Sequence, residues 1–184
     1  MQIRMIKTLN RQTETVRRKI RRAVPNDAAA VAALLYKSFA EYKSLYTEKG
    51  FEATTPEIEE IEKRINKKAV WLVVDGNAIV GTVSTFSQKD QLWVRSLAVH
   101  PDARGKGIGK LLMDHVHEMA FANGCSLIKL TTTPFLLPAI KLYEQFGFEA
   151  QGKDDLFGTP LIWMTKSLVV RSEGPRLTET GRAH

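Results

Sequence analysis

The sequence predicts an α/β (α+β) domain: a mixed, mostly antiparallel sheet of about seven strands carrying about four helices. Three observations predict it. Strand-like apolar runs and stretches of helical periodicity follow one another in the order β-α-α-β-β-β-α-β-α-β-β between residues 19 and 168. Two of the strands meet at Asp75-Gly76-Asn77, a hairpin signal. A glycine-rich hexapeptide, Arg104 to Gly109, lies between a strand and a long amphipathic helix. That helix makes a right-handed crossover between the fourth and fifth strands, which are therefore candidates for a parallel pair.

Composition bounds the rest. The chain has 184 residues, 43% of them hydrophobic, which suits one domain with one sizeable core, and no apolar run approaches a bilayer span. Cys125 is the single cysteine, so an internal disulfide is excluded. The N-terminus lacks the apolar segment of a secretory signal, and the expected location is the cytoplasm. Net charge is +7, but residues 1 to 22 hold eight basic residues and one acid, Glu14, so the remainder is neutral. We expect a basic, disordered extension over 1–18, one domain over 19–168 and a polar tail over 169–184. The extension reads as solvated chain, with nucleic acid or anionic lipid as the alternative partner.

In order, Lys19 to Val24 is the first strand. Asn26 or Asp27 caps a helix running to Phe39, with Val31, Leu34, Leu35 and Phe39 on one face. Tyr42, Tyr46, Gly50 and Phe51 lie in a mixed segment. Thr55-Pro56 supplies a cap and a first-turn proline for a second helix ending near Asn66, with Ile58, Ile61 and Ile65 as its buried stripe. Strands follow at Ala69 to Val74, Ala78 to Phe86 and Leu92 to Val99, forming an antiparallel meander. The next helix, Ile108 to Ala122, buries Ile108, Leu111, Leu112, Val116 and Met119 and stops at Asn123-Gly124. His115 and His117 sit about 200° apart around it, so no shared metal site is expected. Ser126 to Thr132 is the fifth strand. Pro138 starts a helix through Phe146, and Phe148 to Gln151 and Pro160 to Leu168 are the last strands.

The hexapeptide Arg104-Gly105-Lys106-Gly107-Ile108-Gly109 carries the chemistry. A helix N-terminus offers unpaired N–H groups and partial positive charge, and glycines let a phosphate approach the backbone. A tight structural turn needs some of the same residues. Two common phosphate motifs fail here: the Walker pattern meets Arg104 and Leu111, and the dinucleotide fingerprint meets Lys110 where it needs glycine.

The stretch resembles the acetyl-CoA motif of the GCN5-related N-acetyltransferases (the GNAT superfamily). Arg104, Gly107 and Gly109 match that family's pattern of Arg or Gln, two residues, Gly, one residue, Gly or Ala. Ser96-Leu97-Ala98-Val99-His100-Pro101 is similar to its fourth strand, and Leu142 to Phe148 to its late helix. The resemblance covers roughly Ile20 to Leu168 and implies a sheet splayed between strands 4 and 5. It further implies acetyl-CoA held by the main chain of Leu97, Ala98 and Val99 at a β-bulge and by Arg104, Gly105, Lys106, Gly107, Ile108, Gly109 and Lys110. Tyr143 takes the role of general acid, although a packed core tyrosine is the plainer reading. The implied partner is an amine acceptor, a primary amine of a small molecule or peptide, and a homodimer is compatible with the family.

Two departures stand out. Leu136 occupies a position where the family often has a cofactor-binding Asn. The fourth strand, Trp93-Val94-Arg95-Ser96, also lacks the family's frequent proton-relaying glutamate, leaving Glu41, Glu52 or a water held by Ser84 or Ser96 to assist. Tyr42, Tyr46 and Phe51 are candidates for acceptor contact or ordinary core. The alternative class is a non-catalytic acyl-CoA-binding regulatory module.

Overall fold

The structure, a computed structural model, describes residues 18–168. The extension and tail expected at 1–18 and 169–184 lie outside the described residues, except that Arg18 opens the first strand. The strands are β1 (Arg18–Arg22), β2 (Val70–Asp75), β3 (Ala78–Gln88), β4 (Gln91–Val99), β5 (Leu127–Thr132), β6 (Glu149–Leu156) and β7 (Thr159–Ser167). They form one sheet in the order β1-β2-β3-β4-β5-β7-β6. All neighbours are antiparallel except β4 and β5, which run parallel across the crossover helix.

The four expected helices are α1 (Ala28–Phe39), α3 (Ile58–Asn66), α4 (Ile108–Ala122) and α5 (Leu137–Gln145), and α2 (Glu48–Thr54) is a short addition between the first two. Helix α2 hides in the sequence because it is brief and holds Gly50. Thr47 caps it by accepting from the Gly50 amide at 3.1 Å. Thr55, expected to cap α3, instead closes α2, its hydroxyl donating to the Phe51 carbonyl at 2.8 Å. Helix α3 therefore starts later, at Ile58, which is 41% exposed rather than part of the buried stripe. Strand β6 runs five residues past its expected end at Gln151 because the Phe157-Gly158 turn sets its register; its side chains are almost all exposed, so no apolar alternation betrays it.

Core packing covers both sheet faces. Helices α4 and α5 bury Ile108, Leu112, Met113, Val116 and Tyr143 against Val83, Val94, Ile128, Leu130 and Met164. On the other face α1 and α3 bury Val31, Leu35, Ile61 and Ile65 against Val70, Leu72 and Ala98. The α4 periodicity is displaced slightly: Met113 and Ala120 are fully buried, whereas Leu111 and Met119 are half-buried at the edge.

The two histidines of α4 pack against different aromatic groups. His115 meets the Trp71 ring edge-on at 4.2 Å, and His117 lies between Phe146 and Phe148 at 5.1 and 6.2 Å. Neither buried Nε2 has a hydrogen-bond partner among the described residues. Burial, reinforced by Lys166 and opposed by Asp114, pushes His117 from 6.5 down to about 4. A histidine with a lowered folded pKa contributes stability that is complete above the unfolded value and is lost as pH falls toward the folded one. His117→Phe is expected to shrink the fall in unfolding free energy between pH 7 and pH 5 by about 1–2 kcal/mol in urea titrations. An unaltered pH dependence would locate the acid sensitivity elsewhere.

Candidate active site

Strands β4 and β5 pair only from Gln91 opposite Leu127 to Val94 opposite Leu130. Beyond that point β5 stays with β7, Thr131 facing Trp163 and Thr132 facing Ile162, while β4 stays with β3. The strands part, and a cavity of about 660 Å³ occupies the fork. Its wall takes in Val94 to Val99 of β4, the glycine turn, Leu130 to Thr133 and the inner face of α5.

Strand β4 is irregular where it leaves its neighbour. Ala98 faces Thr82 but Arg95 faces Ser84, so β4 carries one extra residue, a β-bulge. Ser96 sits there at φ 54, a left-handed conformation costing a non-glycine residue about 1–2 kcal/mol. Side chains hold it in place. Arg64 of α3, 8% exposed, donates from Nη1 to Ser96 Oγ at 3.0 Å and from Nε to Glu60 Oε1 at 3.0 Å. At the far end of the bulged segment the buried Ser38 hydroxyl donates to the Val99 carbonyl at 3.1 Å.

The glycine turn follows a single 3-10 turn, Pro101–Ala103, and enters α4 through Gly105 at φ 71 and Gly107 at φ 78. A Cβ added at either glycine would meet nothing within 4 Å. Gly107 is the N-cap and makes no side-chain cap bond, and the first amide satisfied inside α4 is that of Leu111, which donates to Gly107 O at 3.0 Å. The preceding amides have no acceptor among the described residues, and the turn that leads into them borders open space at Gly105 and Gly107, an arrangement that fits a diphosphate.

The cationic side chains near this turn already have partners. Arg104 binds the Glu41 carboxylate through Nη1 and the Ser38 carbonyl through Nη2 at 2.8 Å, lashing the turn to the end of α1. Lys110 pairs with Asp114 at 2.7 Å. Lys106 donates to the Asp102 carbonyl at 3.0 Å and does not line the cavity, unlike Leu97, Ala98, Val99, Arg104, Gly105, Gly107, Ile108, Gly109 and Lys110. What the turn offers a ligand is chiefly backbone.

Tyr143, on α5, lines the same cavity, 6% exposed and packed on Phe148 at 6.0 Å between ring centres. Its hydroxyl has no hydrogen-bond partner among the described residues. Burial raises its pKa well above the usual phenol range, so it stays protonated.

The rest of the wall comes from two segments that show little pattern in sequence, through Tyr42, Tyr46, Ala53 and Thr54 and through Leu156 and Leu161. The Thr47 amide donates to Thr159 Oγ1 at 3.0 Å and the Thr47 hydroxyl to the Phe157 carbonyl at 2.8 Å, clasping the start of α2 to the β6–β7 turn. Tyr42 and Tyr46 line the cavity around Phe135, at 6.3 and 4.8 Å between ring centres. Phe51 does not; it is a core residue between Tyr36 and Tyr46. Leu136 stands in the wall as the N-cap of α5 without a side-chain cap bond, so no polar contact replaces an asparagine there.

Of the groups considered for proton removal, Ser96 lines the cavity, whereas Glu52 and Ser84 do not and Glu41 is held by Arg104. No Asp or Glu among the described residues lines it. Cys125 is buried away from it, its thiol pushed up by burial and by Asp90. Sequence reasoning missed Ser38, Arg64 and Arg95 in the wall. A signal existed for one of them: Arg64 falls on the apolar stripe of α3, between Ile61 and Ile65, where a solvated arginine is out of place.

The chain belongs to the acetyltransferase (GNAT) family, whose model matches residues 33–148. It is 32% identical over 136 residues to the uncharacterized N-acetyltransferase YjgM of Escherichia coli, covering 71% of this chain and 81% of that protein. It is 33% identical over 146 residues to human N-acetylaspartate synthetase, covering 78% of this chain but 47% of the synthetase. Its fold superposes on the PaiA N-acetyltransferase of Thermoplasma acidophilum, determined in complex with coenzyme A, with a TM-score of 0.73 and 16% identity over 82% of this chain and 99% of that one.

Gly107→Val would place a β-branched side chain at positive φ and fill the open space beside the α4 amides. It is expected to weaken coenzyme A binding roughly tenfold or more by calorimetry, the loss expected when charge-assisted bonds are blocked. Undiminished binding would remove the turn from the cofactor site.

Proposed function

We propose that this protein is an acetyl-CoA-dependent N-acetyltransferase that transfers acetyl directly to a primary amine, with Tyr143 as general acid. The observation that carries the reading is the convergence, in one cavity, of β4 main chain no longer paired with β5, donor amides at the start of α4 and a buried phenol with no hydrogen-bond partner among the described residues. A relative named as an N-acetyltransferase, 32% identical, supports it.

The cosubstrate supplies the acetyl group as a thioester. Amides of Gly107 to Lys110 hold its diphosphate, and the bulged main chain from Leu97 to Val99 binds its amide-bearing arm and polarises the thioester carbonyl. Transfer forms one C–N bond and breaks one C–S bond; the amine nitrogen gives up a proton and Tyr143 delivers one to the departing sulfur. A buried, neutral phenol suits that task because it remains a donor throughout neutral and mildly alkaline pH. Cys125 lies outside the cavity, which supports direct attack over an acyl-cysteine route.

A wall to which no carboxylate among the described residues contributes is the observation that favours a second reading, a non-catalytic acyl-CoA-binding module. Thiol release decides between them. Tyr143→Phe is expected to lower kcat roughly a hundredfold while leaving the KM for acetyl-CoA nearly unchanged. Because the raised pKa of Tyr143 keeps it protonated, the wild-type kcat profile is expected to show no alkaline limb below pH 10. Unchanged kcat in the phenylalanine variant would remove Tyr143 from the chemistry.

A further inference from the structure

The charge on the cavity wall is one-sided. Arg64, Arg95, Arg104, Lys110 and Lys141 line it and no acid among the described residues does. Arg104 and Lys110 have their own carboxylates, Glu41 and Asp114, outside the wall. Of the two arginines beyond the bulge, Arg64 also has a carboxylate, Glu60, but both keep donors to spare. Arg64 uses Nε on Glu60 and Nη1 on Ser96, and its Nη2 has no partner among the described residues. Arg95 has no carboxylate partner among them at all; its guanidinium stands over the Phe86 ring at 5.0 Å.

These two cations lie on the opposite side of the bulge from the glycine turn. Arg95 precedes the bulge and Val99 follows it, which separates Arg95 from the end of the cavity that suits a diphosphate. They also border a second hollow of about 480 Å³ whose other charged groups are Arg22, Lys63, Lys67, Lys68 and the single acid Glu60. Positive potential therefore reaches the acceptor end of the cavity from two sides. Although much of the Arg95 side chain is exposed, its guanidinium is partly desolvated, and that, with the neighbouring charge of Arg64 against the weaker pull of Glu60, lowers its pKa. Two like charges so placed favour an anion between them.

We infer that the acceptor amine carries a carboxylate, and that Arg64 and Arg95 bind it. This rests on the acetyltransferase reading above and names its acceptor class. The pair does two things at once. It orients the acceptor with its carboxylate away from the glycine turn and its amine toward the fork. It also places positive charge near the amine, which disfavours the ammonium form and promotes the free base that attacks. An acceptor site without a carboxylate base is then intelligible, because a cationic wall performs part of that work. Polyamines and other acceptors without an anionic group are disfavoured by the same field.

The test uses the full chain and matched acceptors: glycine against glycinamide, β-alanine against β-alaninamide, L-aspartate and L-glutamate against their diamides, with spermidine alongside. Thiol release from acetyl-CoA and calorimetric binding to the coenzyme A-saturated protein are both measured. The expected result is at least one acid preferred roughly tenfold or more over its amide in both readouts. Arg95→Gln is expected to raise the KM for that acid roughly tenfold and to move the acidic limb of kcat to higher pH, while Arg95→Lys restores part of both. An amide or spermidine used as well as any acid would overturn the inference and leave the acetyltransferase reading standing. Acids that bind over their amides without thiol release would uphold carboxylate binding by the two arginines, sink the transfer reading and with it overturn the acceptor role. Absence of both binding preference and release would overturn both.

Discussion

The structure turns on the point where β4 stops pairing with β5. A strand that loses its neighbour leaves main-chain N–H and C=O groups without partners, and such groups are costly unless something else bonds them. Here the separation comes after Val94, and the segment from Arg95 to Val99 is bulged and held on its free side by individual side chains rather than by a ladder. Arg64 fixes Ser96 and Ser38 fixes the Val99 carbonyl, so both ends of the free segment are anchored from the helices on the α1 and α3 face. The edge between them is left to a ligand.

Much of the rest serves that separation. The crossover through α4 brings the glycine turn to the end of β4, next to the fork, because a helix that follows a parallel strand must start where the strand finishes. Arg104 then ties the turn to α1 through Ser38 O and Glu41, and the same Ser38 contacts Val99 through its hydroxyl. One residue of α1 thus couples the turn and the free edge. On the opposite side of the cavity the clasp from Thr47 to Phe157 and Thr159 joins segments more than a hundred residues apart. The two ends of the cavity are thus built from different parts of the chain.

The sheet was largely legible in the sequence because its strands alternate or run apolar between strong turn signals, and α4 was legible to the residue because Gly107 and Asn123-Gly124 bracket an apolar stripe. What escaped reading was local or long-range. Helix α2 is too short for periodicity to declare, and Thr55 has the same chemistry whether it closes one helix or opens the next. Strand β6 presents an exposed surface with no alternation. The site divides in the same way. The glycine turn announces itself through local pattern, whereas the fork, the main chain of Leu97 to Val99 and Tyr143 were reached through the resemblance to the family and carry no local signature of their own. Arg64 enters the cavity only because α3 brings it to Ser96 of the bulged strand, a tertiary fact with a faint trace in the misplaced arginine of an apolar stripe, while Arg95 lies on β4 itself and looks like any exposed strand residue.

The central claim is that the free edge of β4 and the amides of the glycine turn together hold acetyl-CoA. Amide chemical shifts followed during titration with coenzyme A test it directly. The account predicts the largest changes at Leu97 to Val99 and Gly105 to Lys110, with β1 and β2 unmoved. Changes confined to other surfaces, with those two segments silent, would contradict it.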